Sequence, residues 1–183
     1  MAWREVVDRV EHSVAPGQML TRVVAVDGQG GAGKSTLAGR LAASLGDAPI
    51  IHTDDFASWE HPLDWWPRLL GQVLQPLSHN GVARYQRYDW PSREMAEWHE
   101  VSPGGFVVLE GVSALREAFR PTLAFGIWVC TPRKERLRRG LQRDGVDAHE
   151  QWLAWMKAED DYVRREDPAA HADLIISGTD HLP

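Results

Sequence analysis

A single cysteine, Cys130, stands in a chain of 183 residues, so no internal disulfide is possible and no Cys-rich metal site can be built. A reducing compartment follows as the expectation, with the cytoplasm as default. No apolar run is long enough to span a bilayer, and Met1 to Val14 mixes charges without an apolar stretch, so neither membrane insertion nor export is expected. Positive charge is also in short supply. Against 26 Asp and Glu there are 20 Lys and Arg, a formal charge of −6, which argues against general attraction to nucleic acid or to an anionic membrane. The eight histidines show no H-E-x-x-H or Cys/His ligand spacing, so no metal site made of protein ligands alone is expected. No repeat or low-complexity tract is visible.

What is present suits one domain, 1–183, since 43% hydrophobic and 25% charged residues at this length supply a single real core and would leave two domains cramped. Short apolar runs alternate with amphipathic stretches, the pattern of an α/β domain with a parallel sheet. Residues 2–12 suit a short helix. Strands are predicted at 22–27 (RVVAVD), 49–53, 106–109 (FVVL), 126–130 (GIWVC) and 173–177 (DLIIS), which together make a five-stranded parallel sheet with helices on both faces. From Lys34 to Leu45 the leucines 37, 41 and 45 recur every four positions and mark a helix that stops at Gly46. Further helices are expected at about 65–75, with Pro67 in its first turn, and at about 133–144 and 149–166. Residues 82–90 read as extended, and 90–103 as a loop with a short helix.

The segment Gly28-Gln29-Gly30-Gly31-Ala32-Gly33-Lys34-Ser35 carries the pattern G-x-x-x-x-G-K-[ST] between a β-branched run and a patterned helix. Glycines at these positions let backbone N–H groups close on phosphate oxygens that side chains would keep away. Lys34 supplies a point charge for the β and γ phosphates, Ser35 a hydroxyl for Mg²⁺, and Thr36 a further hydroxyl in the first helical turn. Gly28, Gly30, Gly31, Ala32, Gly33, Lys34, Ser35 and Thr36 are therefore the predicted nucleotide cradle, with ATP and Mg²⁺ as ligands in a P-loop NTPase fold. Asp27, just ahead of it, either accepts hydrogen bonds from the turn or contacts metal-bound water.

Joined to three later segments, the cradle resembles that of the uridine kinase group, which includes relatives of phosphoribulokinase and bacterial pantothenate kinase. The resemblance covers about residues 21–178. Its first segment is His52-Thr53-Asp54-Asp55-Phe56, where it implies that Asp54 is the base contacting an acceptor hydroxyl, with Asp55 as the rival. The second, Trp59 to Trp66, is similar to the aromatic-acidic-His-Pro stretch that approaches the nucleoside. There Asp64 either accepts a sugar hydroxyl or caps the following helix. The third, Tyr85 to Trp90, looks like the acceptor-pocket wall and brings in Tyr88 and Trp90, aromatics that also serve as ordinary core. By the same register Arg93 stands where the group carries a pocket histidine, which favours an anionic or carbonyl-rich acceptor and puts uridine itself in question. Glu110, at the end of a buried strand, faces the triphosphate and its metal in the resembling kinases, and with Ser35 makes the expected Mg²⁺ contact.

Arg133, Lys134, Arg136, Arg138, Arg139 and Arg143 concentrate positive charge in a chain that is otherwise acidic. Arg136, Arg139 and Arg143 share one helical face, with Leu137 and Leu141 on another, and the stretch at about 133–147 is similar to a kinase lid. Arg139 and Arg143 are then expected to offset charge on the transferred group, and Arg136 to reach the substrate. Gly140 allows either a close approach or a bend. Glu159-Asp160-Asp161 reads as a solvated face, because consecutive carboxylates on a helix diverge.

The expected function is an ATP- and Mg²⁺-dependent phosphotransferase acting on a hydroxyl of a small molecule, a nucleoside among the candidates. Two other readings stand beside it. One is a nucleoside monophosphate kinase of cytidylate kinase type, supported by Arg68, Arg84, Arg87 and Arg93. The other is an ATP-binding module without catalysis. The acidic and aromatic residues after the second strand disfavour the first of these, and the absence of N-K-x-D makes a GTPase switch a poor fit.

Overall fold

Every second residue of the run Thr21 to Asp27 points to the opposite side of a strand, and all of them but Arg22 are buried, so this segment has to be covered on both faces. The computed structural model, which describes residues 1–58 and 65–179, places it as the central strand β1 (Thr21–Asp27) of a five-stranded sheet. The other strands are β2 (Ile50–His52), β5 (Gly105–Glu110), β6 (Leu123–Cys130) and β7 (Leu174–Ser177). Their order is β2-β5-β1-β6-β7, and all four pairings are parallel, so the five expected strands form one sheet.

The two faces of β1 bury separate cores. Val24 and Val26 pack under α1 (Trp3–Glu11) and α2 (Lys34–Ser44) with Val6, Val10, Leu37 and Leu41. Val23 and Ala25 face the opposite core, which holds Phe56, Leu69, Val73, Leu77, Phe119 and Tyr162. The elements on that side are α3 (Trp66–Leu69), α4 (Gln75–Ser78) and α6 (His149–Glu166). A helix was expected over about 65–75. The helical segment instead runs on to Ser78, with one π turn, Leu70–Leu74, just before Pro76. Proline has no N–H to give and its ring crowds the carbonyl four residues back, and a widened turn takes up both defects.

One expectation fails outright. Residues 90–103 are not a loop with a short helix: β3 (Ala83–Asp89) and β4 (Glu94–Val101) form an antiparallel hairpin outside the main sheet. The helix α5 (Arg133–Asp144) leads through a short 3-10 turn into α6.

Candidate functional site: a phosphate cradle facing a carboxylate

Because α2 starts directly behind the glycine turn, its unpaired first N–H groups and the positive end of its dipole open at the carboxyl edge of the sheet. No acidic side chain occupies its first turn. Gly33 is the N-cap with φ +102°, a conformation that side-chain-bearing residues rarely adopt. Lys34 is buried, and its Nζ donates to the Gln29 carbonyl at 3.3 Å, while Ser35 and Thr36 are exposed. The eight predicted cradle residues thus lie in one continuous turn around the start of α2.

Asp27 takes the structural alternative. Fully buried, its carboxylate accepts hydrogen bonds from the N–H groups of Gly28 (2.6 Å), Ser113 (3.0 Å) and Leu115 (2.8 Å) and from the Tyr162 hydroxyl (2.6 Å). Desolvation pushes its pKa up, and these donors and Lys34 oppose the rise.

Glu110 ends β5 beside β1, in register with Val26 and His52. Its Oε1 accepts from Ser35 Oγ at 3.3 Å and its Oε2 lies 2.7 Å from His52 Nδ1. Burial alone would raise the Glu110 pKa, but the His52 hydrogen bond, Lys34 and Ser35 outweigh it and leave the group below its ordinary value. His52 is raised in turn, chiefly by the same hydrogen bond. Nothing local in the sequence marks His52; its position at the end of β2, next to a paired strand's carboxylate, appears only once the strands are ordered.

Asp54 and Asp55 follow β2 in a 3-10 turn, Thr53–Asp55, and part company there. Asp55 turns toward the hairpin, where its Oδ2 accepts from the Tyr85 hydroxyl at 3.3 Å. Asp54 turns toward the cradle. Its side chain reaches solvent on one side and is crowded by protein on the others; desolvation raises its pKa, Glu110 adds to the rise, and Lys34, His52 and Arg143 counter it. Lys34 therefore sits within electrostatic reach of Asp27, Asp54, Glu110 and Glu159.

The Ser35 hydroxyl and Glu110 carboxylate are hard oxygen donors side by side at the mouth of the cradle, which suits Mg²⁺. Among the described residues no group of three or more His, Cys, Asp or Glu could hold a metal ion alone. A Mg²⁺ here would complete its shell from phosphate oxygens and water.

The residues expected around the acceptor are only partly brought together. Trp90 donates its indole N–H to the Asp54 carbonyl at 3.1 Å, and Tyr88, buried, packs edge-on against Trp90 with ring centroids 5.5 Å apart. Arg93 lies in the hairpin turn with φ +59° and donates its backbone N–H to Asp89. Asp64, with its segment from Trp59 onward, lies outside the described residues, which resume at Trp65. Arg68, Arg84 and Arg87 are committed elsewhere. Arg68 donates to the Gln86 carbonyl, Arg84 pairs with Glu100, and Arg87 pairs with Glu97 and Asp89.

On α5 the expected arginine face divides. Arg136 was expected to reach substrate; it is instead 3% exposed, with Nε donating to the Thr131 carbonyl and Nη1 3.5 Å from Glu159 Oε2. Packing turns that side of the helix inward, with Gly140 beside it, and leaves Leu137 and Leu141 half-covered. Arg139 lies on the carbonyl side of the cradle, donating to Gly31 O (3.3 Å) and Gly178 O (3.0 Å) and pairing with Glu135. Arg143 lies within electrostatic reach of Asp54, while also pairing with Asp144 and lying over the Trp152 ring. Gly140 serves close approach rather than a bend: a Cβ there would stand 2.3 Å from the Trp152 indole. The acidic stretch is not simply a solvated face, since Glu159 accepts from Gly30 N–H at 3.0 Å and Asp160 from Gln29 Nε2 at 2.6 Å.

No protein-family model matches the sequence, and no curated protein does. Solved structures do. A possible uridine kinase from Bacillus stearothermophilus superposes with a TM-score of 0.71 at 20% identity, covering 94% of this chain and 96% of the other. A "putative fructose transport system kinase" from Silicibacter sp. TM1040 superposes with a TM-score of 0.68 at 22% identity, covering 96% and 99%. The chain thus shares the fold of these two structures, a five-stranded parallel sheet with helices around it.

Proposed function

We propose that this chain is an ATP- and Mg²⁺-dependent phosphotransferase that moves a γ-phosphate to a hydroxyl of a small molecule. The observation that carries the reading is the placement of Asp54, facing Lys34 and Glu110 across the mouth of the cradle. In this reading the cradle amides and Lys34 hold the triphosphate, and Ser35 and Glu110 hold Mg²⁺, which offsets charge on the phosphates. Asp54 orients the acceptor hydroxyl and takes its proton. A pKa raised by desolvation makes its carboxylate a stronger base than that of an ordinary aspartate. Arg143, across the cleft, offsets charge on the group in transfer.

Trp90 and Tyr88, on the hairpin, form the wall against which the acceptor lies, with Arg93 at its tip. Arg139, donating to Gly31 O and Gly178 O, steadies the cradle from its carbonyl side. Both structural neighbours carry kinase names, which supports phosphotransfer. A nucleoside is one acceptor that fits aromatic walls and a carboxylate. A monophosphate fits less well, because Arg68, Arg84 and Arg87, which would have to receive it, already hold carbonyls or carboxylates. None of the described helices is long and apolar enough to cross a membrane. A cytoplasmic enzyme whose partner is the small acceptor alone, with neither nucleic acid nor membrane, completes the proposal.

An ADP-release screen across nucleosides, nucleoside monophosphates, pantothenate and sugar-like alcohols, with mass spectrometry of the product, tests it. ADP formation that depends on a neutral alcohol is the expected result. Monophosphate-dependent release, or hydrolysis indifferent to every acceptor, overturns it. Asp54→Asn is expected to keep ATP binding while turnover falls by on the order of 10²-fold.

A further inference from the structure

The loop from Gly28 to Gly33 has four glycines in six positions, and such a chain loses much freedom when it is fixed. Something has to hold it in shape. Helix α6 does so at three points: Tyr162 reaches Asp27 beneath the loop, Asp160 takes Gln29 Nε2, and Glu159 takes the Gly30 N–H. Glu159 is the least expected of the three. It is 8% exposed, and its hydrogen bond to Gly30 is the one its carboxylate makes among the described residues. The other oxygen, Oε2, lies 3.5 Å from Arg136 Nη1, and neither of those atoms has a hydrogen-bond partner among the described residues. As a device for stability alone, a buried ion pair of this kind is poor, because apolar side chains of similar volume do as well or better. What a carboxylate adds is an acceptor aimed at one backbone amide of the cradle.

We propose that Glu159 is a positioning residue for the triphosphate site: by holding the Gly30 amide it fixes the Gln29–Gly31 limb before the nucleotide arrives. The inference rests on the cradle being a triphosphate site. The neighbours of that limb agree with it. Lys34 Nζ donates to Gln29 O, Arg139 donates to Gly31 O, the Trp152 ring lies 3.1 Å from where a Gly30 Cβ would be, and Glu159 adds a hold on the amide between them. Ordering the limb in advance removes a cost that binding would otherwise bear.

The test is calorimetric titration of the full chain with MgATP, well below its melting temperature. Glu159→Gln keeps an oxygen for the Gly30 amide and is expected to bind ATP within about threefold of wild type. Glu159→Leu combined with Arg136→Met removes the acceptor without stranding a buried guanidinium, so the chain still folds; its Kd for MgATP is expected to rise by about tenfold or more, with the acceptor KM unchanged. Asp161→Ala, on the solvent side of α6, is the control and binds ATP as wild type does. A folded double variant with wild-type affinity overturns the proposal, and so does a glutamine variant that loses as much as the double one. Absence of ATP binding by the wild type is a separate outcome, which overturns the nucleotide reading and this inference with it.

Discussion

The indole N–H of Trp90 donates to the main-chain carbonyl of Asp54 at 3.1 Å, joining the hairpin to the carboxylate that faces the cradle. Trp90→Phe keeps an aromatic ring and removes the donor. Loss of one such bond is expected to raise the acceptor KM by roughly threefold to tenfold and leave the Kd for ATP unchanged. Steady-state kinetics with each substrate varied in turn would show the split. An unchanged acceptor KM would detach the hairpin from the acceptor site.

The His52–Glu110 pair makes stability depend on pH from both sides. His52 is raised above its ordinary 6.5, so its contribution is complete below that value and is lost as pH rises through the raised pKa. Glu110 is depressed below its ordinary 4.5, so its contribution is complete above that value and is lost as pH falls through the depressed pKa. The two overlap fully between 4.5 and 6.5. In melting curves taken across pH, the difference between wild type and His52→Ala is expected to be greatest in that window and to shrink on either side. A difference that does not vary with pH would remove the pair from the account.

Arg143→Ala separates catalysis from stability. The Arg143 side chain is 70% exposed and its pair with Asp144 is a surface one, worth at most about 1 kcal/mol, so the melting temperature is expected to stay nearly constant. The charge it directs at Asp54 is not replaced, and in the proposed reaction neither is its hold on the group in transfer, so kcat is expected to fall by about tenfold to a hundredfold. A parallel fall in stability and turnover would mark the residue as structural.

Gly140→Ala tests the contact between α5 and Trp152. A Cβ placed 2.3 Å from a buried indole forces the two helices apart, and such overpacking typically costs about 1–3 kcal/mol. Urea denaturation is expected to show a lower midpoint. Nucleotide affinity should weaken as well, because the Arg136 backbone lies against Gly31, within 2.5 Å of a Cβ built there. An unaltered midpoint would mean that Trp152 can move aside freely.

The parts of this molecule legible in its sequence are those whose signal is local. The cradle is one, since its glycines, lysine and serine are spaced along eight consecutive residues. The main strands are another, because parallel strands covered on both faces read as continuous β-branched runs such as Arg22 to Val26. Strand β4 sends no such signal. Its residues Glu94 to Glu100 are exposed or half-exposed, carry three glutamates, and pair with β3 alone, so no apolar alternation marks them. The arginine face of α5 was visible as a stripe, but what covers Arg136 is Glu159, a full helix later in the chain. Glu159 and Asp160 do diverge on α6, as neighbours on a helix must. Both still reach the cradle, because Gly30 lies toward one and the Gln29 side chain toward the other.

The hairpin of β3 and β4 shares no strand pairing with the five-stranded sheet. Neither the pairing of the strand that carries Glu110 nor the helix that carries Lys34 and Ser35 takes in a residue between Ala83 and Val101. Under the proposed reaction, choice of acceptor and grip on the nucleotide therefore rest on separately paired parts of the chain, so that one can drift while the other keeps its hold.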